Sequence, residues 1–170
     1  MKSKSSLKLL FANAGLAGAL AVSAAVASAA QALPKEGKFA YRSCWSGASK
    51  IIALSKSHVG FSYDLTGENV ADTPGSLFDH ASFRCVGVGA RFGKESSHDE
   101  VCLFVDPDGD KDMARITTLN GKQHREDVAG TGKYDGMTIQ TDLQSLGAFP
   151  TIEPGTFQGC NHVEGTYQLK

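Results

Sequence analysis

The sequence predicts an all-β protein: a single antiparallel β-barrel of about eight strands, stapled by two disulfides and preceded by a cleavable signal peptide. Three observations carry that expectation. Residues 30–170 alternate in polarity or are rich in β-branched and aromatic side chains, and Gly or Pro interrupts them at short intervals. No segment of ordinary helical length carries a convincing 3.6-residue period. Four cysteines, an even number, stand far apart in a chain that opens on an export leader.

The leader occupies residues 1–29. Lys2, Lys4 and Lys8 form a basic start, Leu9 to Val26 is an uncharged Ala/Leu-rich run, and Ala27-Ser28-Ala29 is a small-x-small cleavage signal. The run is short of the roughly 20 residues that span a bilayer, and Asn13, Gly15 and Gly18 weaken it further. Cleavage without a stable membrane anchor is therefore expected, and the first cysteine, Cys44, lies too far from the cleavage site for lipid attachment. The expected location is periplasmic or secreted. Loss of three lysines and no acid takes the formal net charge from −1 to −4. The remaining basic residues are scattered, which excludes the basic stripe that a nucleic-acid partner requires.

Eight strands are expected within residues 30–170: Lys38–Ser46, Lys50–Leu65, Leu77–Val88, Glu100–Asp106, Asp112–Leu119, Lys122–Val128, Lys133–Thr141 and Thr156–Leu169. Thr66-Gly67, Thr73-Pro74-Gly75, Asp108-Gly109, Asn120-Gly121 and Pro154-Gly155 supply turn chemistry between them. The clearest period of two is Val59, Phe61, Tyr63 and Leu65, which gives that strand one buried face. Phe39, Tyr41 and Trp45 alternate in the first strand, a pattern better suited to core packing than to a ligand platform. A two-residue hairpin at Asp108-Gly109 places Leu103 opposite Ala114 and Val101 opposite Ile116, so those four share a face.

Zinc sites usually pair cysteines at C-x2-4-C spacing, whereas the closest pair here, Cys85 and Cys102, is 17 apart, so two disulfides are the expected use. If Cys85 bonds Cys102 across neighbouring strands, Val86 faces Val101 and joins the same apolar face. Elimination then leaves Cys44 with Cys160, which brings the first and last strands together as a barrel requires.

Few motifs carry chemistry. Asp106, Asp108, Asp110 and Asp112 occupy positions 1, 3, 5 and 7 of a loop that offers hard oxygens to calcium, the one cofactor worth weighing. Lys111 stands where an EF-hand needs Gly and Thr117 where it needs Glu, so a solvated hairpin turn is the competing and preferred reading. Gly130-Thr131-Gly132-Lys133 lacks the first Gly and the final Ser/Thr of a phosphate loop, and Gly87-Val88-Gly89 lacks the third Gly of a dinucleotide fingerprint. Ser43-Cys44-Trp45 lacks the upstream residues of a thiol-protease nucleophile, and no catalytic residue is assigned. Among the five histidines, Asp79-His80 and the pair His58 with Asp64 are the ones placed to meet at a barrel mouth.

Tyr41 to Gly47, Ser82 to Gly87, Ala129 to Thr138, Phe149-Pro150, Pro154 to Asn161 and Gly165 to Tyr167 together resemble a group of small exported bacterial proteins of unassigned activity. The Gly130-Thr131-Gly132-Lys133-Tyr134-Asp135-Gly136 element is also similar to one in the allene oxide cyclase and dirigent-type eight-stranded barrels. That second resemblance implies a barrel; it carries over no catalytic residue. The expected function is non-enzymatic binding of a small apolar ligand or an envelope component. A lumen-acting isomerase or cyclase, and a structural or inhibitory protein that binds a partner protein, are the alternatives.

Overall fold

The computed structural model describes residues 33–170, so the predicted leader lies outside the described residues. The period-two patterning becomes eight strands: β1 (Glu36–Ser55), β2 (His58–Ala71), β3 (Ser82–Phe92), β4 (Glu95–Val105), β5 (Lys111–Leu119), β6 (Lys122–Gly130), β7 (Thr138–Ala148) and β8 (Thr156–Gln168). One 3-10 turn, Gly132–Tyr134, precedes β7. All pairings are antiparallel, in the order β6-β5-β4-β3-β2-β1-β8-β7. The sheet curls into a nearly closed up-and-down barrel in which β6 and β7 touch without forming a hydrogen-bonded ladder.

Both expected disulfides form, and each joins directly paired residues: Cys44 with Cys160 between β1 and β8, and Cys85 with Cys102 between β3 and β4. The first lies on the outer face and the second lines the lumen, as the alternation of their neighbours requires. The seam of the barrel falls elsewhere, between β6 and β7.

Several expected boundaries shift, each for a local reason. Thr66-Gly67 is no turn; Gly67 continues β2, where a Cβ would collide with the Cys44 carbonyl oxygen and lie 2.5 Å from the Phe83 ring. Glycine here permits close strand approach. β1 likewise runs through Gly47 to a turn at Lys56-Ser57 that no Gly or Pro marks. Leu77 to Ala81 belongs to a loop, and β3 and β4 run beyond the expected Val88 and Glu100 to a tight turn at Gly93-Lys94.

The register at Asp108-Gly109 also differs. Val105 pairs with Lys111, so the loop holds five residues, because the Asp106 carboxylate accepts the N–H groups of Asp108 (2.9 Å) and Asp110 (3.0 Å). An odd slip reverses faces. Ala114 and Ile116 point into the lumen beside Cys102, whereas Val101 and Leu103 lie on the outside, where Val86 faces Val101 as expected. Asn120-Gly121 does make the two-residue turn.

Two buried clusters follow from this register. Leu65, Phe83, Cys85, Cys102, Phe104 and Ile116 form the lumen wall. Phe39, Tyr41, Leu77, Phe78, Tyr134 and Tyr167 close one end. Outer faces carry Arg42, Asp64, Arg84, Asp99 and Arg115, with ion pairs from Arg84 to Asp64 and from Arg115 to Asp99. An apolar interior with a charged exterior is the inverse of a membrane-spanning barrel. Among the described residues no helix is long and apolar enough to cross a membrane.

The two crosslinks close loops of 116 and 17 residues. Chain entropy then assigns roughly 5 and 3 kcal/mol of stabilisation. In urea unfolding of the oxidised protein, the Cys44→Ser/Cys160→Ser variant is expected to lose more stability than Cys85→Ser/Cys102→Ser. The reverse order removes loop length as the deciding quantity.

Candidate functional site

The loop between β2 and β3 converts the barrel into a cup. The Asp79 carboxylate draws this loop inward by accepting N–H bonds from Ala71 (3.0 Å) and Gly75 (2.8 Å). Phe78 and His80 take left-handed backbone angles, φ 64° and 54°, a cost on the order of 1–3 kcal/mol each. At Phe78 burial compensates. Its ring stacks on Tyr134 at 5.2 Å and meets Phe39, Tyr41 and Phe104 edge-on or tilted. Full burial of such a side chain contributes about 1.5–3 kcal/mol, with more from each aromatic pair.

Beneath the lumen, Arg125 of β6 is buried with two carboxylates. Its guanidinium donates to Asp112 at 2.5 Å and to Asp127 at 2.9 Å, and lies 5.0 and 4.7 Å from the Phe78 and Phe104 ring centres. The register shift opposite Met113 and Ala114 leaves Val128 as the extra residue of β6, while Asp127 and Arg125, two apart on the regular part of the strand, face the same side. Burial pushes the Asp112 carboxyl up to about 7; the Asp127 carboxylate adds to the rise and Arg125 opposes it.

Above this floor lies a cavity of about 570 Å³. Trp45, Phe61, Leu65, Phe83, Ile116 and Phe157 supply its apolar wall, and it opens toward Ser49, Ile51 and Gly121. Two lumen-facing glycines of β3 set its width: a Cβ at Gly87 would come within 2.5 Å of Tyr63, and one at Gly89 would strike Phe61. These are the glycines that superficially resembled a dinucleotide motif. They form flat seats for two aromatic rings.

One polar cluster interrupts the wall. Tyr63 donates to Glu100 at 2.8 Å, and His98 stands edge-on to the Tyr63 ring with 6.4 Å between centres. Burial raises the Glu100 carboxyl, against the Tyr63 hydrogen bond and His98, which favour its ionised form. Tyr63 is pushed up by burial and by Glu100. Glu100 lies close to Cys85 and Cys102, but both sulfurs belong to the disulfide and offer no thiolate to a metal. Glu100 went unremarked in the sequence, where it follows Asp99 as one acid among many; the one available signal was its place in the Glu100, Cys102, Phe104 alternation.

The four aspartates weighed for calcium divide between two sites. The Lys133 ammonium lies 2.6 Å from Asp106 and 2.7 Å from Asp108, and the Lys133 N–H donates to Asp110 at 3.1 Å. Asp112 belongs to the Arg125 floor instead. Gly132 abuts the Asp110 carboxylate and the Thr131 hydroxyl accepts the Lys111 N–H, so Gly130-Thr131-Gly132-Lys133 clamps the aspartate loop.

The histidine pairings do not form in the lumen. His58 lies beside Ser55 and Ser57 at a hairpin tip, Asp64 pairs with Arg84 outside, and His80 is exposed beside Asp79. His162 pairs with Asp72 at 2.8 Å. The first-strand aromatics separate: Phe39 and Tyr41 are core, and Trp45 lines the cavity.

Compared with family models, curated proteins and solved structures, the chain finds no match.

Replacing Arg125 with Met leaves two buried carboxylates, and calorimetry is expected to show a loss of about 3–5 kcal/mol. Asp112 and Glu100 both keep their protons more tightly when folded. Their contribution is therefore full below about pH 4, the unfolded carboxyl value, and for Asp112 is lost by about pH 7. Asp64 and Asp99, held low by their arginines, act with the opposite sign and below that window. The melting temperature should fall from pH 4 to pH 7, and Asp112→Asn should flatten the fall. An unchanged slope in that variant removes the assignment.

Proposed function

We propose that the mature chain, residues 30–170, is an exported binding protein that holds one small apolar molecule in its barrel, in the periplasm or outside the cell. The observation that carries this reading is the 570 Å³ cavity, apolar along its wall, floored by Phe78 and Arg125 and open at the other end. That volume lies within the range of small-molecule sites. Its shape favours a flexible acyl chain or small ring system entering lengthwise, with an apolar part against Phe61, Leu65 and Phe157. The leader and the two disulfides support export, since such bonds persist in oxidising compartments.

The Tyr63–Glu100 pair favours a second reading, in which the bound molecule is rearranged. A carboxyl whose affinity for protons is raised in an apolar lumen can exchange one with a substrate, which is the part an isomerase or cyclase needs.

Trp45, the only tryptophan, lines the cavity and reports on occupancy. Titration of the oxidised protein with an apolar fluorophore such as anilinonaphthalene sulfonate, or with a medium-chain alcohol, should change Trp45 emission saturably. Leu143→Arg, at a half-exposed position on the cavity wall, is expected to weaken binding at least about tenfold, the cost of setting a charge in an apolar site. No saturable change in the unaltered protein sinks the binding reading. For the second reading, Glu100→Gln should leave affinity within about twofold and abolish any conversion of the bound molecule seen by mass spectrometry.

A further inference from the structure

In an up-and-down barrel the turns alternate between ends. The floor belongs to the β2–β3, β4–β5 and β6–β7 connections, so the β1–β2, β3–β4, β5–β6 and β7–β8 connections form the rim of the cup. Neighbouring rim turns are laced by backbone bonds: Gly93 N–H to Ser57 O at 2.8 Å, Asn120 N–H to Ser96 O at 2.8 Å, and Ser49 N–H to Gly155 O at 2.8 Å.

This rim exposes large apolar side chains where water-facing turns normally place polar ones. Ile52 is 79% exposed, Leu54 89% and Ile152 94%, and Phe92 and Leu119 are exposed as well. β1 makes them prominent, because its ladder with β8 ends at Ala48 and Ser49 to Ser55 continue with β2 alone. Charge sorts the same way. Residues 49–58, 91–96, 119–123 and 149–155 contain Lys50, Lys56, Arg91, Lys94 and Lys122 against Glu95 and Glu153. The connections of the closed end hold Asp72, Asp79, Asp106, Asp108, Asp110 and Asp135 against Lys133. An otherwise acidic mature chain therefore carries its positive excess on the ring that bears its most exposed apolar groups.

We propose that the rim is a docking surface for a lipid bilayer with anionic headgroups. Ile52, Leu54, Phe92, Leu119 and Ile152 enter the boundary between headgroups and acyl chains, and the lysines meet lipid phosphates. Apolar insertion joined to basic contacts is the physics of interfacial binding. The acidic end is repelled and faces away, which points the open lumen at the lipid. A bilayer answers both the charge and the apolar groups, whereas a second rim would set five basic residues against five. Docking leaves the chain peripheral, in keeping with its charged outer wall. It does not require an occupied lumen, so the Trp45 titration and this proposal can fail separately.

The test uses the oxidised chain from residue 30 and flotation with phosphatidylcholine vesicles, with and without phosphatidylglycerol. Binding is expected only with phosphatidylglycerol and should weaken as salt rises. Lys50→Gln/Lys94→Gln/Lys122→Gln should lower partitioning on the order of a hundredfold, about fivefold per charge. Ile52→Ser/Leu54→Ser should lower it at an unchanged melting temperature, since both side chains stand in water. Phe92→Trp emission should shift to the blue on vesicles, whereas Val128→Trp, on the outer wall of β6, should not. Failure to float with phosphatidylglycerol overturns the proposal. So does equal flotation with neutral vesicles, or a dimer by sedimentation that the serine variant abolishes without any vesicle binding.

Discussion

The architecture depends most on one buried ion cluster, Arg125 with Asp112 and Asp127. It sits where β5, β6, the inward loop and the Phe104 ring of β4 meet, directly under the lumen. β6 has no ladder on its seam side, so its attachment rests on β5 and on what its inward side chains grip. Two carboxylates facing one guanidinium leave a negative charge that the apolar surroundings disfavour, and a retained proton on Asp112 relieves it. The aromatic rings on the guanidinium then tie this charge balance to the placement of Phe78, and so to the closed end.

From that closed end the rest of the cup follows. A barrel of this size is either filled by side chains or open enough for one ligand, and here the choice is made along the axis. Phe78 of the loop, with Phe39, Tyr41, Tyr134 and Tyr167, fills the lower part, while Gly87 and Gly89 let Tyr63 and Phe61 lie against β3 higher up. Glu100 remains as the polar interruption of the wall, held by Tyr63. The outer charges and the apolar, basic rim give the cup an axis, with closed acidic and open basic ends.

Much of the fold was legible because period-two alternation is a local signal. Val59, Phe61, Tyr63 and Leu65 revealed their face, Asn120-Gly121 its turn, and the cysteines their pairing. The failures were equally physical. Gly67 reads as a turn because turns and close strand approaches both exclude a Cβ, and only the position of the Cys44 carbonyl tells them apart. The Asp106 side chain widens to five residues a loop that Asp108-Gly109 alone would close in two, and that odd difference reverses every face on β5. The site was less legible, since Arg125 and Glu100 look like ordinary surface charges until the register turns them inward.

By itself the sequence determined the all-β class, the strand number and the crosslinks, because each is written in local patterning or in cysteine count. Tertiary structure alone decided that the barrel is a cup, that Glu100 and Arg125 face its interior, and that the apolar and basic turn residues share one rim. Those properties depend on which turns fall at which end and on which side of the sheet each residue lands. A single residue of register changes the second, and no local pattern records the first.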